Sequence, residues 1–219
     1  MNVLEVLSCF ALLLAAAASQ APKPCVSPPL MTGGFTTMTP DAMTSTGTVS
    51  YDAFGQRMRF RSVGIGQNQT LDQLMFFSKG IYYDIDWSRF SCRKKKLDAD
   101  FVPMQVPSDA KLMGQVVMGS SSSWGMGVLT NTWYGNMAGN VTYSAVFTEI
   151  GCIPMSISAY TPATGWLGLS TFNWVLGNTN PMDFHPPFMC AKAQLEETEA
   201  ADNMFSALKS LAQRSRKVE

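Results

Sequence analysis

The chain has 219 residues, of which 46% are hydrophobic and 15% charged, with 16 basic side chains balancing 16 acidic ones. That balance leaves no global field to draw nucleic acid or an acidic substrate. The apolar content favours a packed globule over disorder, and the length fits one domain with a sizeable core.

The N-terminus reads as an export signal. Residues 3–18 form an apolar run, VLEVLSCFALLLAAAA, followed at once by SQAPKP. The run falls short of the about 20 apolar residues that span a bilayer, and its small-residue exit fits cleavage after Ala17-x-Ser19 or Ser19-x-Ala21. Cys9 leaves with the leader, while Cys25, Cys92, Cys152 and Cys190 stay. An even number of thiols in an oxidising compartment reads as two disulfides, with three connectivities open. Two sequons, Asn68-Gln69-Thr70 and Asn140-Val141-Thr142, are expected to carry N-glycans.

From Ala21 to Pro40 the chain is rich in Pro, Thr and Gly, and is expected to be an extended arm stapled through Cys25. Strand alternation follows. Val49 and Tyr51, a turn at Asp52–Gly55, then Met58 and Phe60 between Arg57, Arg59 and Arg61 make a hairpin with one apolar and one charged face. Leu74–Phe77, a Ser78-Lys79-Gly80 turn and Ile81–Asp86 make a second, whose apolar run implies burial on both faces. Arg93–Lys96 and the Pro103/Pro107 pair are expected to form an irregular crossover.

Further strands are expected at Gln115–Met118, Gly125–Thr130, Val141–Thr148, Met155–Tyr160 and Trp166–Leu176, with turns at Gly119–Ser123, Tyr134–Gly139 and Thr161–Gly165. In the last strand Trp166, Phe172 and Trp174 share one parity, which places three rings on one face. Such spacing indicates an antiparallel sandwich, half-barrel or barrel. At the C-terminus Leu195, Met204, Phe205, Leu208, Leu211 and Ala212 fall on a helical stripe, with acidic residues early and basic residues late, as the helix dipole favours.

Catalytic chemistry finds little footing. His185 is the one histidine in the chain and sits in Asp183-Phe184-His185-Pro186-Pro187. There is no G-x-S-x-G elbow to pair with it, so it reads as a packed or surface imidazole. With one histidine and oxidised thiols, no zinc site is expected. Asp84 and Asp86 lie on one side of a strand and read as a solvated face, since no D-x-D-x-D-G calcium loop occurs. Arg93–Lys96 is a short basic run able to meet anionic headgroups or sulfated glycans. The 15 methionines are informative, because thioether side chains repack around irregular apolar guests and also fill core gaps.

The cysteine frame and its surroundings resemble the ependymin and ependymin-related family. The matching pieces run in order: Pro24-Cys25 with Pro28-Pro29; Ser50-Tyr51-Asp52 with Gln56-Arg57-x-Arg59; Phe77-x-x-Gly80-x-x-Tyr83-x-Ile85-Asp86; Ser91-Cys92-x-Lys94; Pro107-x-Asp109-Ala110; Met118-Gly119-Ser120; Cys152-x-Pro154; and Phe184-x-Pro186-Pro187-x-x-Cys190. No single motif is specific, but eight in register are. The resemblance implies an all-β fold of two stacked, curved antiparallel sheets, a half-barrel similar to bacterial lipoprotein carriers, with a deep hydrophobic pocket. A C-terminal helix follows it. It implies a homodimer and the pairs Cys25–Cys152 and Cys92–Cys190. The domains are then a signal peptide at 1–21, an ependymin-like β domain at 22–192 and an amphipathic helical tail at 193–219.

The function expected is a secreted glycoprotein that binds a hydrophobic small molecule or lipid, with no enzymatic activity. Its destination is extracellular or, as for some relatives, the lysosomal lumen. Pocket walls are expected from Phe76, Tyr82, Trp133, Phe147, Trp166, Phe172 and Trp174. The alternative is a cell-matrix adhesion glycoprotein that contacts extracellular matrix components and binds calcium through its N-glycans; otherwise neither metal nor cofactor is expected.

Overall fold

The computed structural model describes residues 21–38, 44–65, 70–97, 100–137, 141–161, 165–177 and 180–196. The leader, both sequon asparagines Asn68 and Asn140, and the helical tail beyond Glu196 lie outside the described residues.

Among the described residues twelve strands form one sheet. They are β1 (Leu30–Met38), β2 (Thr44–Asp52), β3 (Arg57–Gly64), β4 (Thr70–Phe76), β5 (Ile81–Asp86), β6 (Ser91–Lys96), β7 (Lys111–Gly119), β8 (Gly127–Met137), β9 (Val141–Thr148), β10 (Pro154–Thr161), β11 (Gly165–Leu176) and β12 (Leu195–Glu196). Their order is β12-β6-β5-β4-β3-β2-β1-β11-β10-β9-β8-β7, one large, open, curved sheet. Two antiparallel meanders, β1–β6 and β7–β11, are joined where β1 pairs with β11, so the two expected sheets are halves of one continuous ladder.

Strand alternation puts different chemistry on the two faces. On the first face, Tyr51 pairs with Met58 and Met58 with Met75, and Val49 pairs with Phe60. These residues pack with Met31, Phe35, Phe77 and Tyr82 into the larger core. The crossover after β6 lies over that face: Phe101 stacks on Tyr51 with ring centroids 6.0 Å apart, and the Met104 amide donates to the Tyr51 hydroxyl at 3.1 Å. In the other half Trp133, Tyr143, Ala145 and Phe147 form a second core, capped by Val106 and the Cys25–Cys152 disulfide. The opposite face of the first half carries Leu74, Phe76 and Ile85, which pack against Phe184 and Cys190. The Cys92–Cys190 disulfide ties that segment to β6.

Several local expectations are corrected. The second half of the Pro-rich arm is β1, a central strand, because Gly33 and Gly34 let the rings of Trp174 and Phe172 lie against its backbone. The Arg93–Lys96 run is the body of β6, next to the edge, where lysines discourage further pairing. The supposed turn from Tyr134 continues as strand to Met137. Leu195 belongs to the two-residue β12, parallel to β6, rather than to a helix.

Candidate functional site

Of the seven aromatic residues expected to wall a pocket, the structure does not bring all together. Tyr82 lies in the larger core, Trp133 and Phe147 in the second, and Phe76 under Phe184 on the opposite face. Trp166 is largely exposed and meets Tyr160 with ring centroids 5.3 Å apart; Phe172 is also exposed. The shared parity along β11 is broken by a bulge: Thr32 pairs with Val175, Gly34 with Phe172, and Asn173 takes a positive φ of 54°. The extra residue turns Trp174 to the first face, against Gly33, while Phe172 stays on the other. The indole N–H of Trp174 donates to the Pro154 carbonyl at 3.0 Å.

Asp84 and Asp86 do not form a carboxylate pair. Asp84 meets Arg93 at 2.7 Å, while Asp86 caps the β5–β6 turn by accepting from the Ser88 hydroxyl and the Ser88 and Arg89 amides. Those bonds hold the Asp86 carboxyl below the usual carboxylate range, the Ser88 hydroxyl contributing most. No group of three His, Cys, Asp or Glu side chains suited to a metal ion occurs among the described residues.

What the fold does assemble is a polar network on the opposite face of β2, β3 and β4. The odd positions of β3 carry Arg57, Arg59 and Arg61, all on that face. Arg59 is buried and donates from Nε and Nη2 to the two oxygens of Asp72, both at 2.8 Å. Asp72 also accepts from the Trp87 indole N–H at 2.7 Å. The third guanidinium donor of Arg59 reaches the backbone carbonyl of Asp183 at 2.9 Å. Arg61 donates to Asp183 Oδ1 at 3.0 Å, and the Ser50 hydroxyl to Asp183 Oδ2 at 3.1 Å. Arg57 pairs with Asp52 at 2.7 Å and lies 4.5 Å over the Phe184 ring.

The segment that supplies Asp183 is shaped locally. Asn180 caps a short 3₁₀ turn, Pro181–Phe184, by accepting from the Met182 amide. Pro186 and Pro187 then lead into a second 3₁₀ turn, Phe188–Cys190, whose Cys190 amide donates to the Pro187 carbonyl. Between this segment and β3 opens a cleft of about 650 Å³, walled by Trp87, Met182, Pro186, Pro187 and Phe188, with Arg59, Arg61, Asp183 and His185 at its polar side. A smaller cleft of about 250 Å³ adjoins it and shares Arg61 and Trp87. Met182 and Phe188 are strongly exposed, and Trp87 and Arg61 are partly so. The two arginines are matched by Asp72 and Asp183, so the cleft offers directed donors without a net charge. None of the seven expected wall residues lines either cleft.

Sequence reasoning named Arg59, Arg61, Asp183 and His185 but missed the site they form. The partners come from strands and a turn far apart in the chain, and the Cys92–Cys190 bond ties the end of that turn's segment to β6. The legible signals were the i, i+2, i+4 arginines of one strand face and the compact Phe184-x-Pro186-Pro187-x-x-Cys190 motif.

Comparison with known proteins agrees with this frame. Residues 66–190 match the family model Ependymin. The chain is 32% identical to Ependymin-2 of Salmo salar over 190 residues, covering 84% of this chain and 85% of that one. It is 33% identical to Ependymin-2 of Oncorhynchus mykiss over 190 residues with the same coverage. To Ependymin of Clupea harengus it is 31% identical over 182 residues, covering 80% and 85%. An uncharacterized conserved protein of Thermus thermophilus shares the fold at a TM-score of 0.51 and 10% identity, over 84% of this chain and 96% of that one.

Proposed function

Because this chain belongs to the ependymin family, we propose that it is an exported glycoprotein that binds an amphiphile, a molecule with an apolar chain and a hydrogen-bond-accepting head such as a fatty acid. The observation that carries this reading is the cleft between β3 and the 181–188 segment, whose volume of about 650 Å³ falls in the range of small-molecule sites. Trp87, Met182 and Phe188 supply polarizable apolar contact. Arg61, part-exposed at the same cleft and paired with Asp183, keeps guanidinium hydrogens to donate to a hydrogen-bond-accepting head.

Export is supported by the two disulfides, which persist in oxidising compartments. It also fits the leader-like first residues. No helix among the described residues is long and apolar enough to cross a membrane. We read the action as binding: the cleft sets apolar Met182, Pro186, Pro187 and Phe188 beside arginines matched by Asp72 and Asp183.

The cleft stands in this reading where the family resemblance implied a deep hollow. Phe101, Met104 and Val106 of the crossover pack onto the first face, where that hollow would have lain. An open cleft covers only part of an alkyl chain. Burying about ten methylenes fully would yield about 8 kcal/mol gross, and partial cover less association costs leaves micromolar or weaker affinity. Such a protein exchanges its guest readily. Titration of the purified, glycosylated chain with a fluorescent fatty acid tests the reading. Saturable binding displaced by oleate and weakened by Phe188→Ser supports it; no saturable binding ends it.

A further inference from the structure

The β7–β8 hairpin is built unlike the rest of the surface. Between Lys111 and Glu149 the chain contains no charged residue. β9 pairs with β8 only as far as Thr130, opposite Thr148, with one further bond from the Glu149 amide to the Leu129 carbonyl. Beyond that point β7 and β8 continue alone as a two-stranded ribbon, Val117 opposite Leu129 and Met118 opposite Val128, closed by Ser120–Met126. Val117 and Leu129 share one face, Met118 and Val128 the other, and all four are more than 40% exposed. At the turn Trp124 is fully exposed.

A solvated ribbon alternates apolar and polar faces, and one that docks on a globular partner hides one face and keeps the other polar. This ribbon is apolar on both. Its apex carries an indole, the side chain that settles at the membrane–water boundary. The Val117–Leu129 pair lies two residues from the strand ends at Gly119 and Gly127. At about 3.4 Å per residue, the length from the Val117–Leu129 pair to the tip, the uncharged Ser120–Ser123 included, is of the order of 10 Å, matching the depth at which interfacial elements sit. The absence of charge suits the neutral boundary of a zwitterionic bilayer as it would not suit an anionic one.

We propose that the tip of the β7–β8 hairpin, with Trp124 leading and Met118, Val128, Val117 and Leu129 behind it, inserts into the interfacial layer of a lipid surface. The surface lies on the half of the sheet away from the amphiphile cleft, and the proposal stands whether or not the cleft binds fatty acid. Its role would be to hold the protein at a bilayer by reversible attachment.

The test is flotation of the purified glycosylated chain with phosphatidylcholine vesicles, together with tryptophan quenching by brominated phosphatidylcholine. The wild type is expected to float and to be quenched. Trp124→Ser, at a site with no packing to lose, is expected to lower the partition coefficient about tenfold, as removal of one large apolar side chain predicts. Met118→Lys/Val128→Lys is expected to abolish flotation. Phe188→Ser is expected to float like wild type, separating this surface from the cleft. The proposal is overturned if the wild type stays with the aqueous fraction, or if Trp124→Ser floats equally well. It is also overturned if sedimentation shows a dimer that Trp124→Ser dissociates, since the ribbon would then be a contact between two copies.

Discussion

Arg61 donates to Asp183 at 3.0 Å, across 122 positions of sequence. One end is on β3 in the middle of the first meander, and the other is in the segment that precedes the last cysteine. Together with the Arg59 bond to the Asp183 backbone, it holds that segment against the sheet at one wall of the cleft.

The Arg59–Asp72 pair beneath it is nearly inaccessible to solvent. Asp72→Ala leaves a buried guanidinium without its carboxylate, and the loss in unfolding free energy is expected to be about 3–5 kcal/mol. Urea unfolding measures it. The double variant Arg59→Met/Asp72→Leu is expected to recover a large part, because an apolar pair needs no desolvation of charge.

Gly33 and Trp174 form a second tight contact. A Cβ on Gly33 would stand 2.6 Å from the indole ring, which is itself fixed by its bond to Pro154. Gly33→Ala is expected to cost about 1–3 kcal/mol through overpacking. Gly114→Ala, where no atom lies within 4 Å of the new methyl, is the control and is expected to leave the urea midpoint nearly unchanged.

Tyr51 gives a pH signature. Burial raises its phenol pKa above the ordinary value of 10.0, outweighing the opposing bond from the Met104 amide, and Tyr143 is raised in the same way. A phenol with a higher pKa folded than unfolded stabilises the fold below about pH 10 and loses that contribution as pH climbs through the folded value. Melting temperature is therefore expected to fall between pH 9.5 and 11, following the ordinary phenol range of about 10. Tyr51→Phe is expected to flatten part of that fall while lowering stability at neutral pH by about 1 kcal/mol, for the lost acceptor.

The Cys92–Cys190 bond spans 98 positions. Loops of that size are worth about 4.7 kcal/mol in the chain-entropy model. Cys92→Ser/Cys190→Ser is expected to lower stability by up to about that amount and to release the segment bearing Met182 and Phe188. Unfolding curves of the variant, read beside proteolysis after Met182, check both parts.

Much of the sheet was legible because alternation at period two is direct evidence of a half-buried strand. Val49/Tyr51 and Met58/Phe60 announced β2 and β3, and Val141–Thr148 matched β9 residue for residue. β1 was hidden because its glycines and threonines carry little apolar signal; their smallness serves the rings of Trp174 and Phe172 across the ladder, which no local window shows. β6 was hidden because four cations in a row read as loop, although Lys95 is buried beside Tyr82 and Asp84. The bulge at Asn173 could not be read from parity, and it moved Trp174 away from Phe172. The cleft was least legible of all, since Trp87, Arg61 and Asp183 meet only after the chain has folded and oxidised.

Isothermal titration of the intact protein with oleate, run beside Met182→Ser and Phe188→Ser, addresses amphiphile binding most directly. Both substitutions lie at exposed positions where the fold has little to lose. The account predicts one saturable site of about micromolar affinity in the wild type, weakened about tenfold by either change. Wild-type heats no larger than dilution, or equal affinity in all three proteins, would contradict it.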